Sequence, residues 1–259
     1  KEQGLDPSLY HVEALITTTP ASFARGKEIV DTYVDLGCTA LFLRPVDPFG
    51  FADKTKKQIS VTPHEYLEFY RKAVDYMLKL NAGGVQILER YAAIFLTKII
   101  GGGDPNFLDI RNPCGAGIGQ VAYNYDGKVF TCDEGRMLHE MGDSSFEIGS
   151  VQSNKLHDII GHETVRALAI ASNLDAQPGC VSCAYQPFCG VCPVISYKTQ
   201  GSIFGRMLDN YLCAVFMGIQ DYLFTRLGEG DEKVLETFKA WTTVRDRDHH
   251  IHVCSVPSS

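Results

Sequence analysis

Seven of the nine cysteines in this 259-residue chain lie between Cys114 and Cys213, and four of them run as Cys180-x2-Cys183-x5-Cys189-x2-Cys192. Two thiols separated by two residues aim inward across one turn, a common way to grip a metal centre. A structural zinc site usually puts a dozen or more residues between two such knuckles, whereas five separate them here. Pro193 follows the last thiol, and closely packed cysteines ending in Cys-Pro resemble iron–sulfur loops whose final thiol serves a second cluster. Cys114 and Cys132 are another ordered pair, with Gly127 between them, and Cys213 stands further on. Each cubane takes four ligands. Seven thiols divide most economically into one complete site and one three-cysteine site.

Composition narrows the setting. At 45% hydrophobic and 21% charged, the chain is an ordinary globular one, sufficient for one large domain or two modest ones. Its net charge of −7 opposes a broad nucleic-acid footprint, which needs clustered Lys and Arg. No apolar run approaches the roughly 18 residues of a membrane span. The opening Lys-Glu-Gln-Gly does not resemble a secretory signal. An odd cysteine count without such a signal fits reduced, metal-binding thiols in the cytoplasm better than disulfides.

The scaffold expected to hold these thiols is α+β. His11 to Thr18 reads as a strand, and Thr19 and Pro20 open a helix with Phe23, Ile29, Val30, Tyr33 and Val34 on one face. Gly37 stops that helix, and Cys38 to Leu43 reads as a strand buried on both sides. Such a βαβ unit implies a parallel sheet or barrel. Arg44 through Lys57 reads as a loop. Thr62-Pro63-His64-Glu65 is a capping box opening a helix to about Leu80. A second helix is expected near Ile87 to Ile99, ended by Gly101-Gly102-Gly103. After Pro113, Gln120–Tyr125 and Lys128–Cys132 flank the hairpin signal Asp126-Gly127. A two-residue turn would pair Tyr125 with Lys128, Tyr123 with Phe130 and Val121 with Cys132, placing the aromatic pair and Cys132 on one face. Leu156–Leu174 is mostly helical in pattern, Cys180–Pro193 a tight loop, and Met207–Leu227 an amphipathic helix with Cys213 in its second turn.

The order and spacing of Cys114, Gly127, Cys132, Cys180, Cys183, Cys189 and Cys213 resemble the SPASM domain, the auxiliary-cluster module of radical S-adenosylmethionine enzymes that modify peptides and proteins. The chain departs from the pattern once, with two residues rather than three before Cys192. The stretches "PCGAGIGQVAYNYDGKVFTCDEGRML" and "CAYQPFCGVCP" are most similar to the larger radical maturase of His-Xaa-Ser peptide systems. The resemblance implies two auxiliary [4Fe-4S] clusters. Cys114, Cys132 and Cys192 would hold the inner one, and Cys180, Cys183, Cys189 and Cys213 the outer. It further implies that 1–52 end a partial (β/α)6 barrel that holds S-adenosylmethionine, 53–112 are connecting helices, 113–227 are the SPASM domain and 228–259 a tail. A peptide or protein substrate, an electron donor such as ferredoxin or flavodoxin, and a paired maturase are the implied partners, with no nucleic acid and no membrane. The Cys-x3-Cys-x2-Cys loop that holds a third, radical-generating [4Fe-4S] cluster in this family does not occur in the sequence. The chain is therefore expected to be the C-terminal portion of the enzyme, inactive alone.

Other residues carry weaker claims. Asp133, beside Cys132, matches a proposed general base of a sulfatase-maturing relative, against the plainer reading of a solvated residue paired with Arg136. Arg44 ends a barrel-like strand, where contacts to S-adenosylmethionine would fall, or else forms an ion pair at the sheet edge. Gly115, Gly117 and Gly119 fit turn geometry better than a phosphate loop. Cys38 reads as a small core residue, Cys254 as a free thiol, and His249, His250 and His252 as a polar tail. Two rival functions remain: a non-catalytic two-cluster electron carrier and a zinc-binding interaction module.

Overall fold

Strand β1 (Ala14–Thr18) lies parallel to β2 (Ala40–Pro45), and β2 lies parallel to a third strand, β3 (Leu88–Glu89). The structure, a computed structural model, describes residues 13–242; His11, Cys254, His249, His250 and His252 fall outside them. Thr19 and Pro20 start a 3-10 turn, Pro20–Arg25, which runs into α1 (Gly26–Asp35). Ala40 to Leu43 are all buried, as expected of a strand covered on both faces. Cys38 is half-buried ahead of that strand rather than within it.

Two local expectations are overturned by the fold, and a third holds. The loop expected after Arg44 contains α2 (Phe51–Ile59), a short helix that is polar on average and buries none of its residues. The helix expected from Ile87 divides into β3 and α4 (Arg90–Ile99), because Glu89 ends the strand and caps the helix, accepting from the Ala92 amide at 2.8 Å. The capping box at Thr62 does open α3 (Pro63–Ala82), with Thr62 and Glu65 bonded reciprocally.

A second sheet holds β4 (Ala122–Tyr123), β5 (Lys128–Phe130) and β6 (Glu147–Ser150), antiparallel in that order. Its hairpin is shifted by one residue from the expected register: Ala122 faces Phe130 and Tyr123 faces Val129. The turn holds three residues, not two. The Asn124 amide donates to the Lys128 carbonyl at 2.9 Å, the Gly127 amide to the Asn124 carbonyl at 3.0 Å, and Gly127 sits at φ +84°, the left-handed position that ends such a turn. A one-residue slip reverses the faces. Tyr123 is consequently 59% exposed while Phe130 is fully buried, and the expected aromatic pair does not form.

Helices α5 (Asp133–Glu140), α6 (Leu156–Ile160) and α7 (Glu163–Ala171) surround this sheet, and α8 (Pro193–Gln200) follows the sulfur-rich loop. α9 (Tyr211–Glu229) then returns to α3 and α4, where Phe216 packs edge-on against Tyr91 and Phe95. The segment expected as a tail carries α10 (Glu232–Trp241), whose Phe238 and Trp241 join the same core. Among the described residues no helix is long and apolar enough to cross a membrane.

Candidate metal centre

Cys180, Cys183, Cys189 and Cys213 line one apolar cavity of about 280 Å³ that Cys192 also borders, with Leu174, Met207 and Phe216 in its wall. A turn brings the first pair together, with the Cys183 amide donating to the Cys180 carbonyl at 2.9 Å. Cys213 reaches them from α9. It lies in the first turn rather than the second, where the Asn210 side chain accepts from its amide at 3.2 Å. Burial pushes the Cys189 thiol up to about 12, and Cys213, Cys180 and Cys183 add to the rise. Burial also lifts Cys180 to about 11, again with help from Cys213 and Cys183. These four thiols thus feel one another, and none is in a disulfide.

The sulfur-rich loop is seated tightly. An added Cβ at Gly190 would meet the Ile110 and Arg111 backbone at 2.4 to 2.7 Å, so this position requires glycine. Lys98 ties the same two segments: its Nζ donates to the Ile110 carbonyl at 2.6 Å and the Cys189 carbonyl at 3.4 Å. Desolvation lowers the pKa of that ammonium.

Cys114, Cys132 and Cys192 share a second buried cluster with Phe49, Leu138, Phe146 and Leu168. Cys132 caps α5, its Sγ accepting from the Gly135 amide at 3.4 Å, while Cys192 precedes the first turn of α8. The Cys114 amide donates to Ser172 Oγ at 2.9 Å. Burial raises all three thiols, Cys114 to about 11, and Cys192 also feels Asp109, Glu134, Cys132 and Cys114.

Carboxylates crowd this second group. Burial pushes Asp109 up to about 7, with Glu134 the next cause. Arg44 pairs with Asp47 at 2.9 Å and Asp109 at 3.6 Å, leaving a buried Nε without a partner among the described residues. Asp133, singled out by its place in the sequence, instead points outward to Arg136 at 2.7 Å. Its neighbour Glu134 is half-buried, and its charge helps raise the Cys132 thiol. A long acidic side chain two positions after a cysteine was the available signal for it. Asp109 and Gly190 had no such signal, since their environment comes from distant chain. Gly115 and Gly119 sit in a turn closed by the Gly119 amide on the Gly115 carbonyl at 2.7 Å.

Among the described residues no three His, Cys, Asp or Glu side chains converge tightly enough for a single metal ion.

No family model matches the sequence, and no curated protein does so. Solved structures do match. Polyhistidine-tagged anSMEcpe with bound AdoMet aligns with a TM-score of 0.66 at 17% identity, over 87% of this chain and 57% of that one. The chain shares its fold. Native anSMEcpe with bound AdoMet and Kp18Cys peptide aligns at 0.62 and 18%, over 83% and 56%. The chain therefore spans somewhat over half the length of the structures it matches.

Proposed function

We propose that this chain is the auxiliary-cluster part of a radical S-adenosylmethionine enzyme that modifies a ribosomally made peptide or protein. One observation carries the reading: Cys180, Cys183, Cys189 and Cys213 share a cavity that Cys192 also borders, and Cys192 joins Cys114 and Cys132 in a second cluster, on the fold of anSMEcpe, an enzyme solved with AdoMet and with peptide. The donor set fits iron–sulfur ligation, being all thiol, buried or half-buried, and free of disulfides. Cys180, Cys183, Cys189 and Cys213 would hold the outer cluster, and Cys114, Cys132 and Cys192 the inner one. When bound, such clusters accept and pass on single electrons at potentials set by ligation and by hydrogen bonds to sulfur.

The remaining residues serve the sites. Gly135 donates to Cys132 Sγ, Lys98 and Gly190 seat the sulfur-rich loop, and apolar walls exclude water. The unpartnered Nε of Arg44 leaves one donor for an anionic ligand at the end of β2. Narrower similarity to the His-Xaa-Ser maturase adds a paired maturase and a ferredoxin or flavodoxin donor to the proposal. Anaerobic purification of the chain with metal analysis tests it. About eight irons per chain and a brown colour are expected, whereas colourless protein carrying zinc would reverse the conclusion.

A further inference from the structure

Resting on the reading that this chain modifies a peptide, we propose that the cavity beneath α2 takes one large apolar side chain of that substrate, with α2 as its lid. The cavity measures about 280 Å³, slightly below the range that holds drug-sized molecules and suited to a single bulky side chain. It lies just past the carboxyl end of β2, at Val46 and Pro48, the side of a parallel sheet where ligands bind. Ile195, Asn210 and Leu212 border both this cavity and the sulfur-lined one. On α2, Ala52, Asp53, Lys56 and Ile59 recur at helical spacing, and they line the cavity rather than a packed core. The helix runs between Gly50, at φ +58°, and the extended Ser60, with the Lys198–Asp53 ion pair at 3.1 Å as a tether. An occupant would give α2 the burial that it lacks.

The chemistry of the occupant follows from what the wall has left to offer. Every charged side chain bordering the cavity already has a partner. Asp47 pairs with Arg44 at 2.9 Å, Asp53 with Lys198 and, at 3.7 Å, with Lys56, and Asp209 with Arg206 at 3.3 Å. Gln200 Oε1 accepts from the Arg206 amide at 2.6 Å, and Asn210 Oδ1 from the Cys213 amide at 3.2 Å. Val46, Pro48, Ile59, Val61, Ile195 and Leu212 make up the apolar part of the wall. A charged ligand finds no free counter-charge there, whereas an apolar side chain needs none.

The test takes the full chain, purified anaerobically, and the probe Ac-Gly-Phe-Gly-NH2, with Ac-Gly-Lys-Gly-NH2 and S-adenosylmethionine as the comparisons. Equilibrium dialysis gives the affinity, and hydrogen exchange read by mass spectrometry follows the amides of α2. The phenylalanine peptide should bind and slow exchange across α2. The lysine peptide should bind roughly ten- to a hundredfold more weakly, the loss of burying one large apolar side chain. Ala52→Trp, which fills the cavity from α2, should weaken the phenylalanine peptide by a similar factor. Ile59→Ala, which removes part of the wall without adding bulk, should weaken it less, and keeps the test valid if Ala52→Trp does not fold. Leu36→Ala, at a remote and 71% exposed position, should leave binding unchanged. The proposal is overturned if both peptides bind alike, if S-adenosylmethionine rather than the peptide protects α2, or if Ile59→Ala binds as wild type does. A dimer that protects α2 without added peptide would assign the cavity to a second copy and overturn it too. An iron-loaded chain that binds neither peptide overturns this proposal alone, whereas a chain carrying zinc in place of iron overturns the reading beneath it as well.

Discussion

Replacing Gly190 with alanine should pry the sulfur-rich loop from the segment beneath it. The new Cβ would lie 2.4 Å from the Ile110 carbonyl carbon, 2.6 Å from its Cα and 2.7 Å from the Arg111 nitrogen. All three atoms are backbone, so no side chain can swing aside. Restoring an ordinary contact of 3.4 Å means parting the two segments by about 1 Å. The Lys98 ammonium bridges those same segments through the Ile110 and Cys189 carbonyls, and separation weakens that bridge. Overpacking costs about 1–3 kcal/mol, and a weakened hydrogen bond adds about 1 kcal/mol. At about 2–4 °C per kcal/mol for a chain of this size, the midpoint should fall by roughly 4–16 °C. An anaerobic thermal melt of the iron-loaded chain measures this, with iron per chain read in parallel, because Gly190 lies between Cys189 and Cys192. Gly228→Ala is the control: its added Cβ meets nothing within 4 Å, and the melt should not fall. A Gly190→Ala chain with wild-type midpoint and iron content would refute the close-packing argument.

Glu89 is fully buried, accepts from Tyr70 Oη at 2.5 Å, and is pushed by desolvation from 4.5 to about 7. The folded state then holds a proton that the unfolded chain has released, so stability falls as pH rises from about 4.5 to 7, by about 3 kcal/mol. Denaturant titrations at several pH values should show Glu89→Gln losing that part of the slope; parallel wild-type and variant slopes would exclude the shift. Lys98→Met strips two carbonyls of their donor and should cost about 1–3 kcal/mol, measurable by urea unfolding under nitrogen. Cys213→Ala should halve the iron content by removing the outer cluster while the inner resonance persists. Retention of both signals would show that the ligand division is wrong.

Local signals in the sequence are legible where chemistry and structure share a short window. The capping box at Thr62 and the parallel pairing of β1 with β2 depend on neighbouring residues, and both are present. The hairpin's place is legible but its register is not, because two-residue and three-residue turns both suit Asp126-Gly127 and only β6, packed on the far side of β5, adds to the choice. Helix α2 escapes notice because it is short, polar on average and buries nothing, and α10 because Val234, Phe238 and Trp241 look ordinary until α3, α4 and α9 supply a core for them.

Thiol count, spacing and the glycines between them are properties of the chain itself, and they suffice to point to iron–sulfur chemistry. Which thiols meet is left to packing. Cys213 joins Cys180, Cys183 and Cys189 because α9 is held against α4 by Phe216 between Tyr91 and Phe95. Asp133 faces away from the second group because α5 begins right after Cys132 and turns that carboxylate out to Arg136. Contacts between residues far apart in the chain form only when buried surfaces choose one another, and no short stretch of sequence contains both partners.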